Sequence, residues 1–375
     1  MAIHYIDDVD FEGKKVIARL DFNVPLKDGK IIDTTRIDAA IQTIQKILDG
    51  GVTQLMLMSH LGRPEGKVNK NFSLLPVAEY LAKQLNQDVL LTESALDRGI
   101  KTIINLKRNK IIMLENLRFH PEEEAGDKEF ARALANYADV YVNDAFGTAH
   151  RKHASTYHIN TFFKNKAYAG YLIKSEIEAL QLVVDRPNSP FLGIVGGAKV
   201  SDKIKIIEKL LSSVESLIIG GAMAYPFLKA KGHEIGTSLC SHEDVKLAKN
   251  ILRQSLGSKI LLPIDHVVSK EFGGSPNSNP NVNIPNDQMG LDIGPKSIEL
   301  FKNKIQTART ILWNGPMGLF ENDHYSKGTF DIANALAESH AYTLVGCGDS
   351  VSAIKKAGLA EKMSHVSTGG GASLE

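Results

Sequence analysis

Two groups of residues in this sequence have the types and spacing for phosphate chemistry. One is compact. Phe191-Leu192-Gly193-Ile194-Val195-Gly196-Gly197-Ala198-Lys199-Val200-Ser201-Asp202-Lys203 places a glycine pair and two lysines directly after an apolar run. Glycine permits close approach and backbone angles that a side chain forbids, and Ser201 or Asp202 can cap a following helix. The unpaired N–H groups of a helix start, together with Lys199 and Lys203, attract an anion. An ordinary strand-to-helix turn with solvated lysines is the alternative.

The other group is dispersed through the first half of the chain. Asp21 and Asn23 follow one predicted strand, Arg36 opens a helix, His60 and Arg63 follow another strand, and Arg118 and Arg151 sit just beyond two more. A guanidinium fork binds phosphate or carboxylate oxygens bidentately, so converging arginines suit a small, multiply charged anion. Asp21 fits such a cluster only by orienting an arginine or accepting from a substrate hydroxyl. Arginine neighbours disfavour a metal site at His60, His150 and His153 and depress imidazole protonation, which leaves a neutral hydrogen-bonding role.

The second half offers backbone instead. Gly196-Gly197, Gly220-Gly221, Gly315 and Gly318 around Pro316, Gly346 and Gly348 before Asp349, and Gly369 to Gly371 all fall at strand-end turns. Asp349 is a carboxylate for hard Mg2+ beside nucleotide oxygens, or else an N-cap. Glu321 either accepts from ribose hydroxyls or is a solvated acid. The glycine turns make neither a Walker A loop nor a dinucleotide fingerprint, and the protein-kinase motif set is missing.

The elements that must carry these residues follow a βαβ rhythm. Strands are predicted at 15–22, 54–59, 88–92, 111–115 and 140–144, with helices at 35–48, 74–86 and 128–137. Further strands at 191–195, 216–219, 259–263, 310–313 and 342–345 alternate with more helices. Two open doubly wound sheets fit the 375 residues better than one barrel. A long helix over 170–184, stopped by Arg186-Pro187-Asn188-Ser189-Pro190, marks the junction, and 271–287 reads as a surface loop of the second domain.

Composition narrows the class. Forty-four Lys and Arg against 43 Asp and Glu leave a net charge of +1, which argues against a global nucleic-acid or membrane binder, so any basic site is local. The acidic N-terminus, with Asp7, Asp8, Asp10 and Glu12, lacks a signal-peptide pattern, and a soluble cytoplasmic protein is expected. Two cysteines, Cys240 and Cys347, support neither a disulfide framework nor a Cys-rich zinc site.

An ordered series of motifs resembles the phosphoglycerate kinase family. It comprises Arg19-Leu20-Asp21-Phe22-Asn23-Val24-Pro25, Ser59-His60-Leu61-Gly62-Arg63-Pro64, Glu115-Asn116-Leu117-Arg118-Phe119 and Asn143-Asp144-Ala145-Phe146-Gly147-Thr148-Ala149-His150-Arg151. It continues with Gly196-Gly197-Ala198-Lys199-Val200, Leu291-Asp292-Ile293-Gly294-Pro295, Trp313-Asn314-Gly315-Pro316 and Ser367-Thr368-Gly369-Gly370-Gly371-Ala372-Ser373. The resemblance implies two Rossmann-like, doubly wound α/β/α domains facing across a hinged cleft. Residues 1–169 would bind 3-phosphoglycerate, 170–186 would form an interdomain helix and hinge, and 187–375 would bind nucleotide.

By motif, the resemblance implies that Asp21, Phe22, Asn23, Arg36, His60, Leu61, Gly62, Arg63, Arg118 and Arg151 hold the three-carbon acid. Gly197, Lys199, Lys203 and Gly221 would belong to the nucleotide phosphate region, and Gly290, Asn314 and Pro316 would lie near the nucleotide. Glu321 would reach the ribose, while Gly346, Cys347, Gly348, Asp349 and Ser350 would meet phosphate, with Asp349 as the magnesium ligand. Arg36 and Lys199 form the expected catalytic pair. The implied reaction is reversible, Mg2+-dependent phosphoryl transfer from 1,3-bisphosphoglycerate to ADP, giving 3-phosphoglycerate and ATP. A monomer without nucleic-acid or membrane partners is expected.

Two departures from the family pattern stand out. Cys347 occupies the place of a third glycine, and the short helix and return tail that the family carries after Ser373 are expected to be absent in a chain ending at Glu375. The competing reading is a nucleotide- and anion-binding scaffold with little catalysis, against which the retention of Arg36, Lys199 and Asp349 argues.

Overall fold

Short apolar runs buried on both faces become parallel strands, and the amphipathic segments between them become the covering helices. The computed structural model describes residues 3–106 and 108–374. The chain divides into two compact units, Met1–Ile177 and Glu178–Glu375.

The first unit is built on strands Lys15–Arg19 (β1), Gln54–Met58 (β2), Val89–Leu91 (β3), Ile111–Met113 (β4), Val140–Asn143 (β5) and Ala167–Ala169 (β6). They form one sheet in the order β3-β4-β2-β1-β5-β6, every neighbouring pair parallel. Alternation along β1 sends Val16 and Ala18 to one face and Ile17 to the other. On the first face they meet Ile37, Ile44 and Ile47 of helix Thr35–Asp49 (α1) and Val77 and Leu81 of Leu75–Leu85 (α2). On the second, Ile17 meets Ile100 and Ile104 of Arg98–Leu106 (α3) and, beyond the short helix Pro121–Ala125 (α4), Phe130 and Leu134 of Lys128–Ala135 (α5). Each such fully buried aliphatic side chain contributes about 1.5–3 kcal/mol. Ile17→Asp, a charge between two packed layers, would break this unit.

Helix Tyr171–Val184 (α6) spans the division between the units. Asp144, at the end of β5, accepts from the Ile173 N–H at 3.0 Å and so supplies the cap that α6 lacks in its own sequence.

The second unit repeats the plan with Phe191–Val195 (β7), Ser216–Ile219 (β8), Ile260–Leu261 (β9), Thr310–Asn314 (β13), Tyr342–Gly346 (β14) and His365–Val366 (β15), in the parallel order β9-β8-β7-β13-β14-β15. Its helices are Ile204–Ser213 (α7), Ala224–Ala230 (α8), His242–Arg253 (α9), Pro295–Thr307 (α10), Lys327–Glu338 (α11) and Gly348–Lys356 (α12). A separate antiparallel sheet of His266–Ser269 (β10), Asn277–Asn279 (β11) and Met289–Ile293 (β12) is inserted, in the order β11-β10-β12.

Three expectations are corrected. The 271–287 segment is not all loop, because β11 pairs with β10, and its turn is tied by Asn279 Nδ2 to the carbonyls of Asn281 and Asn283. The helix after Gly196-Gly197 starts at Ile204, so neither Ser201 nor Asp202 is its N-cap. The Ser201 N–H goes instead to Asp244 Oδ1, at 2.9 Å. The first strand ends at Arg19, because the next residues turn out of the sheet, where the Phe22 N–H donates to Ser59 Oγ.

In each parallel sheet the chain winds outward from the middle in both directions. The strand order reverses between β1 and β5 in one unit and between β7 and β13 in the other. Ligands of open α/β sheets bind outside the carboxyl ends of the strands at such points.

Candidate active site

In the first unit Arg36 and Arg118 tie together the loops at the switch point. Arg36, in the first turn of α1, places Nη1 3.2 Å from Asp21 Oδ2 and donates to the Asn23 carbonyl at 3.2 Å. Asp21 is therefore an orienting group for arginine, and it is almost wholly buried, whereas the Arg36 side chain is 33% exposed. Asn23 Oδ1 accepts from the Gly62 N–H at 2.8 Å, which closes the loop after β2 onto the loop after β1. Arg118 Nη1 donates to the Gly62 carbonyl at 2.9 Å, and its Nε lies 3.3 Å from Glu124 Oε1. Phe22 and Leu61 are core residues that shape these loops from beneath, while Arg63 and Arg151 are exposed at the loop tips.

His60 is buried, and its protonation is held well below the ordinary imidazole range by desolvation first, then by Arg19, Arg118, Arg36 and His153. His153 is lowered to about 4 by burial and by Arg118 and Arg151. Both rings are thus neutral near pH 7, as expected. Among the described residues there is no group of three or more His, Cys, Asp or Glu that could hold a metal ion.

Sequence reasoning missed the layer beneath this crevice. Arg19, Glu123 and Ser155 carry 1% or less exposure and are hydrogen-bonded together. One signal was available: an arginine ending an otherwise apolar parallel strand needs buried partners.

In the second unit the glycine loops lock together. The Gly196 N–H donates to the Asn314 carbonyl, that of Gly221 to the Met317 carbonyl and that of Met223 to the Gly197 carbonyl, each at 3.0 Å. A Cβ on Gly196 would lie 2.0 Å from the Pro316 carbonyl oxygen, and Gly315, at φ +111°, would bring one to 2.1 Å from the Gly196 oxygen. Two backbones in contact require glycine here, independently of any ligand.

Lys203 and Ser350 stitch the same crevice. Lys203 Nζ donates to the Gly196 carbonyl at 2.8 Å, the Asn314 carbonyl at 3.1 Å and Asn314 Oδ1 at 2.7 Å. Burial lowers the Lys203 pKa, opposed by Cys347, Asp349 and Asp202. Ser350 Oγ accepts from the Gly315 N–H at 2.6 Å. Asn314 Nδ2 is buried without a partner at the same strand ends. Lys199, Glu321, Gly348 and Asp349 are exposed, with Asp349 in the first turn of α12. Cys347 adopts φ +74°, the backbone reason for a glycine at this position. Gly290 stands apart, within antiparallel β12, where a Cβ would lie 2.1 Å from the Tyr225 hydroxyl.

One doubly wound unit presents guanidinium groups at its switch point, and the other presents a lysine-tied glycine crevice. Together they define a two-domain α/β protein with an arginine-bearing crevice in one unit and a glycine-loop crevice in the other. The family model described as Phosphoglycerate kinase matches residues 6–375. A phosphoglycerate kinase of Anaeromyxobacter dehalogenans (strain 2CP-C) is 49% identical over 387 residues, spanning 100% of this chain and 96% of the relative. One from Clostridium tetani is 45% identical over 377 residues, spanning 99% and 94%. The solved phosphoglycerate kinase of Coxiella burnetii superposes with a TM-score of 0.87 at 38% identity, covering 100% of this chain and 95% of that one. The chain belongs to the phosphoglycerate kinase family and is a phosphotransferase.

Proposed function

We propose that the first unit binds 3-phosphoglycerate and its acyl phosphate, and that the second binds ADP and ATP. The observation that carries this reading is Arg36 held at the start of α1 by buried Asp21, with Arg118 and His60 beside it, a cradle for a small polyanion. On the nucleotide side we assign Gly197, Lys199, Gly221, Gly346, Cys347 and Gly348 to the phosphates. Asn314 and Pro316 shape the crevice, and Glu321 takes the ribose. Gly290 is kept on family resemblance alone.

The reacting oxygens in either direction, a carboxylate or a terminal nucleotide phosphate, are already ionised near pH 7, so the chain need not supply a general base. It must align the groups and neutralise charge developing on the equatorial oxygens of the transferred phosphoryl. Arg36 and Lys199 are the two cations assigned to that task, and Lys203 and Ser350 hold the loops from which the glycine N–H groups act. Asp349 is an exposed carboxylate in the first turn of α12, and among the described residues no cluster of three or more His, Cys, Asp or Glu stands with it, which fits a hard cation whose remaining ligands are nucleotide oxygens and water. Magnesium bound there would supply charge neutralisation on the nucleotide. Transfer also requires the two ligands to meet away from water, a competing acceptor, and α6 is the hinge candidate. A monomeric, cytoplasmic enzyme completes the reading. Among the described residues, no helix is long and apolar enough to cross a membrane.

The test is a coupled assay of acyl-phosphate formation from 3-phosphoglycerate and Mg-ATP, run beside binding measurements for each ligand. Turnover abolished by Arg36→Ala and by Lys199→Ala is expected. Tight binding of both ligands without turnover would replace this reading with the scaffold alternative.

A further inference from the structure

Arg19 ends β1 with its guanidinium entirely inside the protein, 1% exposed. Its Nε donates to Ser155 Oγ at 3.0 Å, Nη1 donates to the Leu20 carbonyl, and Nη2 lies 3.0 Å from His60 Nδ1. Ser155 is clasped from the other side by Glu123. Its hydroxyl donates to Oε1 at 2.5 Å and its N–H to Oε2 at 2.9 Å. The Tyr141 hydroxyl donates to the Ser155 carbonyl at 2.8 Å.

Proton counting gives this chain one direction. The Ser155 hydroxyl has a single proton, used on Glu123, so it accepts from Arg19. A guanidinium has five N–H donors and no acceptor, so the His60 Nδ1 atom facing it must carry a lone pair. The proton of a neutral ring then sits on Nε2. An imidazolium would set N–H against N–H.

We propose that Arg19 is a positioning residue that, through its contact with His60 Nδ1, fixes the imidazole as the neutral Nε2–H tautomer and so makes it an uncharged hydrogen-bond donor to the three-carbon acid. This rests on the reading of the first crevice as the acid site. The ionisable groups around the ring are Arg19 on β1, Arg36 on α1, Arg118 ahead of α4 and His153 after β5, with Glu123 of α4 behind Arg19. The four neighbours named on the ring's own side all oppose its protonation. Glu123 lies behind Arg19, away from the ring; burial raises its carboxyl pKa, and Arg19 and the two Ser155 hydrogen bonds work against that rise in favour of its anion.

The test is a long-range 1H–15N correlation spectrum of the full chain labelled with 15N-histidine, His60 being assigned by its loss in His60→Gln. Without ligand, His60 should show Nδ1 unprotonated and Nε2 protonated from about pH 5 to 8. In Arg19→Met, and in the charge-balanced Arg19→Met/Glu123→Gln should the single variant fold poorly, the ring should titrate nearer the ordinary imidazole value of about 6.5. The KM for 3-phosphoglycerate, as a ratio of variant to wild type so that the acid's own phosphate titration cancels, should change several-fold across that window, with the nucleotide KM unmoved. An Nδ1–H tautomer, wild-type titration near pH 6.5 or variants that titrate like wild type would overturn the proposal. Because the spectrum needs no substrate, a correct tautomer with no effect of 3-phosphoglycerate would instead count against the reading of the crevice.

Discussion

Lys203 and Asn314 are joined directly, the ammonium donating at 2.7 Å to the amide oxygen of a residue 111 positions further along the chain. The same ammonium holds the carbonyls of Gly196 and Asn314, so it ties the ends of β7 and β13 with all three of its donors. Lys199, in the loop between β7 and α7, is exposed. The two lysines that look equivalent in sequence have different work.

Their variants should therefore separate. Lys203→Met removes three charge-assisted bonds and leaves buried acceptors unpaired, and should cost about 2–4 kcal/mol by denaturant titration. Lys203→Arg should not restore this, since a planar fork does not reproduce the ammonium's geometry. Lys199→Ala should keep stability within about 0.5 kcal/mol. It should lower kcat by several powers of ten while sparing 3-phosphoglycerate affinity. A stable Lys203→Met, or near-normal turnover in Lys199→Ala, contradicts the assignment.

Asp21→Asn keeps the shape of the carboxylate but halves its acceptor capacity toward Arg36. Release of Arg36 from its 3.2 Å partner should lower kcat/KM for 3-phosphoglycerate by roughly 10- to 100-fold, about 1.4–2.7 kcal/mol. Nucleotide KM should not move. An equal loss for both substrates would point to general unfolding of the loop.

Cys347→Gly should stabilise the second unit. A side chain at φ +74° is strained by about 1–3 kcal/mol, offset in part by the roughly 0.5–1 kcal/mol of chain entropy that glycine adds to the unfolded state. A net gain of about 1 kcal/mol is expected. The lone tryptophan, Trp313, is fully buried in β13 and reports on this unit by fluorescence. A destabilised variant would show that the thiol makes a compensating contact.

Asp144 carries a pH signature. Burial raises its pKa from 3.8 to about 6, against the hydrogen bonds that favour its anion. A raised carboxyl pKa means that the folded state binds the proton more tightly. Its stabilising contribution is present in full below pH 3.8 and is lost as pH rises through about 6. Asp144→Asn, which stays neutral, should therefore gain on wild type by about 2–3 kcal/mol between pH 4 and 8. Equal pH dependence in the two proteins would place the titration elsewhere.

The readability of this chain followed the range of the interactions. The apolar runs of β7 and β8 end where expected because glycine and polar residues stop them locally. Strand β11 could not be seen, since Asn277-Ser278-Asn279 has neither apolar alternation nor β-branching, and only pairing with β10 makes it a strand. The cations of the first unit were visible as types at strand ends, and the ties that Arg36 and Arg118 make between loops needed the sheet order. Orientation of Arg36 by Asp21 was one of two open possibilities. The tie between Lys203 and Asn314 was hidden because Lys203, just before α7, and Asn314, at the end of β13, are neighbours only in space. Arg19 was hidden for the opposite reason, as a charged residue that reads as a strand end and is in fact core.

The bond from Arg19 to Ser155 closes 136 residues of chain. Loop-closure entropy grows only with the logarithm of the span, and folding slows as contacts of long range accumulate across a domain. The pairing of Val16 with Val140 between β1 and β5 has a similar span, so the crevice should form together with the sheet beneath it. In refolding from urea, 3-phosphoglycerate binding should return in the same phase as that sheet. A nascent chain released before Ser155 would have its arginines and no acid site.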